Sequence, residues 1–254
     1  PLLLDEESTI SFDAYLARYS TLGISALLIG NSEQARRHYA EAIDLWKKRP
    51  HLIADRISQY RRYLFNYLNC LIALPYHDDF ATTIRDIRML PPQTTDIRLG
   101  GRCELWYIEL LYYLNRGRLE QGGAVVQEIQ KDLSEEIQRS DPLTVLALYY
   151  NCSIWCFFTG RHASALEYLN KLLHAQNEGI KSDMYSFARE LAIILHYELG
   201  NIDILDAMIR SVQRFFKKTI SAGEFHKIVL HALKTLLTCV DRTEEKKVFL
   251  SLRR

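Results

Sequence analysis

Helix-breaking residues recur in this chain at nearly even intervals. Gly30, Pro75, Gly117, Gly160 and Gly200 are separated by 45, 42, 43 and 40 residues. Between them lie long stretches with apolar side chains at helical spacing. Only 11 Gly and 6 Pro punctuate 254 residues, too few for a protein of many short strands. Each break is followed by a second helical stretch. The pattern therefore predicts repeated helix pairs, in which no pair buries its apolar face alone and neighbours must stack to form a core.

The clearest unit reads Tyr19-x2-Leu22-Gly23-x2-Ala26-x3-Gly30-x4-Ala35-x3-Tyr39-x2-Ala42 and closes at Pro50. Gly30-Asn31 suits a helix end, because both residue types tolerate the left-handed conformation there. Ser32 is the expected cap of the following helix. The small Gly23 and Ala35 predict a close approach of the two helices, with Tyr39 filling the space toward the next pair and Leu22 and Ala26 pointing inward. The fourth unit repeats the register, with Tyr149, Cys152, Ser153, Cys156, Gly160, Ala165, Leu169 and Leu172 in the matching positions.

Further first helices are expected at about His51–Leu74, Thr95–Arg116, Pro142–Thr159 and Ser182–Leu199. Their second helices are expected at Asp79–Leu90, Leu119–Arg139, His162–Gln176 and Ile202–Lys218. A sixth pair begins near Glu224. The expected fold is all-α, an α-solenoid of about six antiparallel helix pairs within a single helical-repeat domain over residues 1–254.

The spacing of aromatic, Leu-Gly, Ala, aromatic, Ala and Pro in the first unit resembles the tetratricopeptide repeat. Ala26 stands where that family has a large residue, and Pro50 comes late. The period is longer than the usual 34 residues and implies extra helical turns. HEAT-type repeats share the longer period and are the alternative. The segment Leu195–Phe216 is similar to part of uncharacterised bacterial proteins of this type, about twice as long. That resemblance, with the missing initiator Met, implies that the chain is a C-terminal piece of a longer protein.

Charge and composition exclude several functions. The formal net charge is +1, so there is no global pull toward nucleic acid or membrane, and nucleic acid is a disfavoured partner. No apolar run approaches the roughly 18 residues of a membrane span. The opening Pro1-Leu2-Leu3-Leu4-Asp5 has no basic n-region of a signal peptide. Five Cys, an odd number without framework spacing, read as reduced thiols in a cytoplasmic protein.

No nucleotide-binding loop or nucleophile–base pair is present, so no enzymatic activity and no cofactor is expected. Cys152 and Cys156 share a helix face but lack further ligands nearby, and are expected buried and metal-free. His226 and His231 are five apart and split across a helix. Asn151-Cys152-Ser153 matches a glycosylation sequon but falls mid-helix. Arg210, Arg214, Lys217 and Lys218 form a basic cluster that reads as a solvated face.

In stacked helix pairs the first helices line the inner surface, which in tetratricopeptide-like folds receives peptides. The register projects Arg62, Phe65 and Asn69 there from the second unit, and Tyr107 and Leu111 from the third. Tyr150 and Ile154 follow from the fourth, and Phe187 and Glu190 from the fifth. Phe65, Tyr107, Tyr150 and Phe187 would form an aromatic row, either an open groove of the residue types that anchor interfaces or, if the extra helical turns close the superhelix tightly, ordinary core. The expected function is a scaffold for another protein or peptide. The alternative is a ligand- or peptide-sensing module of a bacterial regulator whose effector domain lies outside the chain.

Overall fold

The computed structural model describes residues 11–75, 79–91, 95–136, 140–175, 182–219 and 223–252. Among these it contains thirteen α-helices and no strand. They are α1 (Phe12–Leu28), α2 (Ser32–Lys47), α3 (Pro50–Asp55), α4 (Ile57–Ala73), α5 (Asp79–Met89), α6 (Thr95–Asn115) and α7 (Leu119–Glu136). There follow α8 (Pro142–Phe158), α9 (His162–His174), α10 (Ser182–Glu198), α11 (Ile202–Thr219), α12 (Glu224–Leu236) and α13 (Arg242–Ser251).

The expected breaks have a common chemistry. Gly30, Gly117, Gly160 and Gly200 all take φ between +63° and +76°, where a side chain would be strained. After each, the next backbone N–H reaches back to the carbonyl five residues earlier: Asn31 to Ala26, Arg118 to Tyr113, Arg161 to Cys156, Asn201 to His196. This satisfies carbonyls that a helix end otherwise leaves open. The break at Pro75 has different chemistry, because Pro stops the helix by lacking an N–H.

Two local expectations are corrected. The cap of α2 is Asn31, whose side chain accepts from the Gln34 N–H at 3.0 Å, and Ser32 is already helical. The helix expected over His51–Leu74 is two helices, α3 and α4, separated at Arg56 with φ −131° and ψ 42°.

The chain divides into two compact units. The first comprises residues 1–118 and 127–140, and the second comprises 119–126 and 141–254. In the first, α1 packs on α2, α2 on α4, and α4 on both α5 and α6. Trp46 sits at its centre, with Phe12 edge-on at 5.0 Å and Tyr60 and Tyr63 at 5.8 and 6.4 Å. Phe80 stacks on Tyr112 at 3.5 Å, and Arg116 lies over the same Tyr112 ring. Arg116 also donates to the carbonyls of Leu71 and Leu74, closing the end of α4. Each large apolar side chain buried here contributes about 1.5–3 kcal/mol.

Gly23 is buried under Tyr39, since a Cβ there would lie 2.7 Å from the ring. The close approach in the first pair is thus Gly23 against an aromatic face, with Tyr39 working inside the pair. Ala35 is fully buried on the same helix as Tyr39. Leu22, expected inward, is 38% exposed, whereas its register mate Cys152 is fully buried. Beyond packing on α2, α1 is held to α4 near its start, through Tyr63 Oη to the Leu16 carbonyl and Arg56 to Asp13. Leu22 lies two turns further on.

In the second unit α8 packs on α9 and α10, α9 on α10, and α10 on α11 and α12, while α12 also packs on α11 and α13. Each first helix therefore touches its own second helix and the next first helix. Ile193, Leu205, Ile209, Val212, Phe216, Leu230 and Leu233 form one core across α10, α11 and α12. Gly123 lets α7 approach the Trp155 indole, which donates to the Leu119 carbonyl at 2.8 Å. No described helix is long and apolar enough to cross a membrane.

Candidate functional site

In the first unit, α4 and α6 pack side by side and carry five of the projected surface residues. Arg62 and Asn69, two turns apart on α4, are exposed. Between them Phe65 is only 4% exposed and belongs to the core, because α2, α5 and α6 all pack on α4 and leave it little free surface. Tyr107 and Leu111, one turn apart on α6, are half-buried. Burial raises the Tyr107 phenol above its ordinary pKa, so it stays protonated and able to donate.

In the second unit, α8 and α10 carry the other four. Tyr150 and Ile154 are half-buried and Phe187 is 39% exposed, packed against Phe225 and His226. Glu190 is 3% exposed and faces the core, because α12 lies across α10 and presents His226 to it. Burial raises the Tyr150 phenol, and the Glu190 carboxylate raises it further. The aromatic row of the sequence is therefore mixed, with Phe65 in the core and the other three at least partly open within their own units.

A pocket of about 430 Å³ lies on the first unit, where sequence reasoning placed nothing. Arg61, Arg88, Arg102, Trp106 and Glu128 supply its polar lining, and Ile87, Leu90 and Leu105 its apolar walls. Its floor is a charge network. Arg88 Nη2 is 2.7 Å from the buried Glu109 carboxylate, and Arg88 Nη1 is 3.2 Å from Glu128. Glu128 also accepts from the Trp106 indole at 3.0 Å. Arg102 lies over the Trp106 ring at 4.8 Å and pairs with Asp132. Gly101 leaves room for the Arg61 guanidinium, whose Nη1 would lie 2.7 Å from a Cβ there.

Burial raises Glu109 above the usual carboxylate range, while Arg88 opposes the shift. The signal for it was a lone carboxylate in the apolar run Tyr107-Ile108-Glu109-Leu110-Leu111; its partner Arg88, 21 residues earlier, carried no local mark. The guanidinium groups of Arg88 and Arg102 are thus matched by carboxylates, and the pocket sets a charge-balanced polar side against the flat apolar wall of the Trp106 indole.

The remaining candidates have structural roles. Cys152 and Cys156 are both buried, and burial raises both thiols, Cys156 to about 11. Such thiols are protonated and poorly nucleophilic. Cys70 is likewise pushed up to about 12 by burial. Among the described residues no group of three His, Cys, Asp or Glu side chains is placed to hold a metal ion. Asn151 is buried, which closes the sequon to modification. His226 is turned to Glu190 while His231 is exposed. Arg210 pairs with Asp206 on the exposed side of α11, next to Arg214 and Lys217. The Lys218 side chain lies outside the described residues.

Comparison with protein-family models and with curated proteins gives no match for this chain. Its class rests on the fold itself, an all-α protein of neighbouring helix pairs.

Proposed function

We propose that the chain is a tetratricopeptide-like helical-repeat scaffold that holds a protein or peptide segment on the α4–α6 face of its first unit. The observation that carries this reading is the pairing of exposed Arg62 and Asn69 with half-buried Tyr107 and Leu111 on two adjacent first helices. Arg and Tyr are the types that dominate binding energy at interfaces, and a half-buried aromatic gains most when a partner completes its cover. The packing of each first helix of the second unit on its own second helix and on the next first helix supports the repeat assignment. The site is one for binding, without catalysis. Affinity capture with the immobilised chain tests it. Arg62→Ala and Tyr107→Ala should each lower recovery of a bound partner at least tenfold, with the helical melt kept in Arg62→Ala and Tyr107→Ala destabilised but still folded. Equal recovery by both variants would refute the site.

The alternative, a ligand-sensing module, is favoured by the Arg61, Arg88, Arg102, Trp106 and Glu128 pocket, which offers a small ligand an apolar wall beside polar groups of both charges. Isothermal titration with aromatic carboxylates separates the two readings. Binding that Arg102→Ala abolishes and Tyr107→Ala spares would select the sensor.

A further inference from the structure

We propose that the first-unit pocket binds a free α-amino acid with a large apolar side chain, its ammonium held by Glu128 and its carboxylate by Arg88 and Arg61. This ligand class rests on the sensor reading of that pocket.

Every lining residue of the pocket belongs to the first unit. Its volume of about 430 Å³ lies toward the small end of ligand pockets, which run from about 300 to about 1,000 Å³. That space suits one small molecule.

The charges select the head group. Arg61, Arg88 and Arg102 stand against Glu109, Glu128 and Asp132, and Glu104 acts on Arg61 from the exposed side of α6. A ligand of one sign would answer one set of charges and be opposed by the other. A zwitterion answers both. Covalent geometry holds the ammonium and carboxylate of an α-amino acid about 3 Å apart. Glu128 Oε1 and Arg88 Nη1 present the opposite charges 3.2 Å apart. Both side chains line the pocket and stay 41% exposed, so the pair keeps an open edge. Among the described residues Oε1 accepts one hydrogen bond, from Arg88, while Oε2 takes those of Trp106 and the second Arg88 nitrogen. A lone pair on Oε1 and a second N–H on Nη1 therefore remain for a ligand.

Arg61 supplies a further donor for the carboxylate. Gly101 makes its place, because a Cβ there would lie 2.7 Å from the Arg61 Nη1. The guanidinium thus lies against the α6 backbone at the pocket wall. Burial disfavours its charge and lowers its pKa, and a carboxylate beside it would offset that cost. The apolar walls select the side chain. Ile87 and Leu105 are buried and Leu90 is half-buried. An apolar group laid on them leaves water, whereas a polar one would lose its hydration without a partner.

Isothermal titration of the full chain tests the proposal. L-phenylalanine and L-leucine should each bind saturably, one per chain. N-acetyl-L-phenylalanine lacks the ammonium, L-phenylalaninamide lacks the carboxylate, and glycine lacks the side chain. Each should bind at least tenfold more weakly than L-phenylalanine. Glu128→Gln keeps an acceptor for the Trp106 indole and should erase the preference over the N-acetyl derivative. Arg61→Gln should shrink the preference over the amide. Equal binding of either derivative by the parent chain would overturn the zwitterion assignment, and the parent-chain comparison holds even where a variant fails to fold. Aromatic carboxylates binding as tightly as L-phenylalanine would overturn this ligand class and leave the sensor reading standing. No binding by amino acids or aromatic carboxylates would sink both.

Discussion

Nδ1 of His226 lies 2.9 Å from Oε1 of Glu190, joining α12 to α10 beneath three phenyl rings. Phe216, Phe187 and Phe225 pack on the imidazole at 4.8, 5.0 and 5.8 Å. Burial holds the Glu190 carboxyl above its ordinary range, and His226 pulls it partway back. A carboxyl raised in the folded state contributes its full stability below its unfolded pKa and loses that contribution as pH rises through the folded value. Glutamine keeps an acceptor for His226 and does not titrate. Glu190→Gln should therefore gain on the parent chain as pH rises from about 4 to about 8. Urea titrations across that range read the difference directly, and a difference independent of pH would contradict the buried-acid account.

Gly23 predicts the opposite kind of sensitivity, one of shape. Tyr39 occupies the space a side chain would need. Gly23→Leu should cost about 1–3 kcal/mol through overpacking or more if α2 must shift. Ser25→Leu, on the exposed side of the same helix, should stay within about 0.5 kcal/mol. Thermal melts of the two variants compare them, and equal melting temperatures would refute the Gly23–Tyr39 contact.

These two sites differ in how visible they were. Gly23 and the four left-handed glycines belong to local patterns of a few residues, and turn and helix-end chemistry is written at that range. The break at Arg56 was hidden because no Gly or Pro marks it, and a strong apolar rhythm runs on both sides. Leu22 and Cys152 share a register yet differ in burial, since burial depends on which neighbouring helices cover a position and periodicity reports only the side on which it lies. Glu109 and Glu190 required partners 21 and 36 residues away, so their pairing became visible only with the packing of α5 on the α6 side and α12 on α10.

The Arg88–Glu109 pair should behave as a buried ion pair with one exposed end. Glu109 is 5% exposed, while the Arg88 side chain retains 41%. Arg88→Met would leave the carboxylate without its cation and should cost about 3 kcal/mol near neutrality, the lower end for a broken buried pair. Removing Arg88 also removes the influence that lowers the raised Glu109 carboxyl, so the deficit should narrow in acid, where the carboxyl is neutral. The double variant Arg88→Met/Glu109→Leu should recover most of the loss, because an apolar pair of similar volume leaves no buried charge. A double-mutant cycle on denaturation free energies measures this, and additive losses would rule out the coupling.

Phe65 and Tyr107 separate a core from a surface within one aromatic series. Phe65 is enclosed by the core of the first unit, and its truncation should cost about 3–5 kcal/mol. Tyr107 is half-buried against that core, so Tyr107→Ala should cost roughly half as much, in proportion to the area it buries. Arg62 is exposed, and Arg62→Ala should change stability by less than about 0.5 kcal/mol. Partner capture should rank differently. Arg62→Ala and Tyr107→Ala should lose it while folded, and the conservative Tyr107→Phe should retain most of it if the ring supplies the contact. Denaturation free energies and capture measured on the same preparations separate the outcomes. Should Tyr107→Ala lose as much stability as Phe65→Ala, and Arg62→Ala lose neither stability nor capture, α6 would be closed at this position and the α4–α6 face would hold no partner.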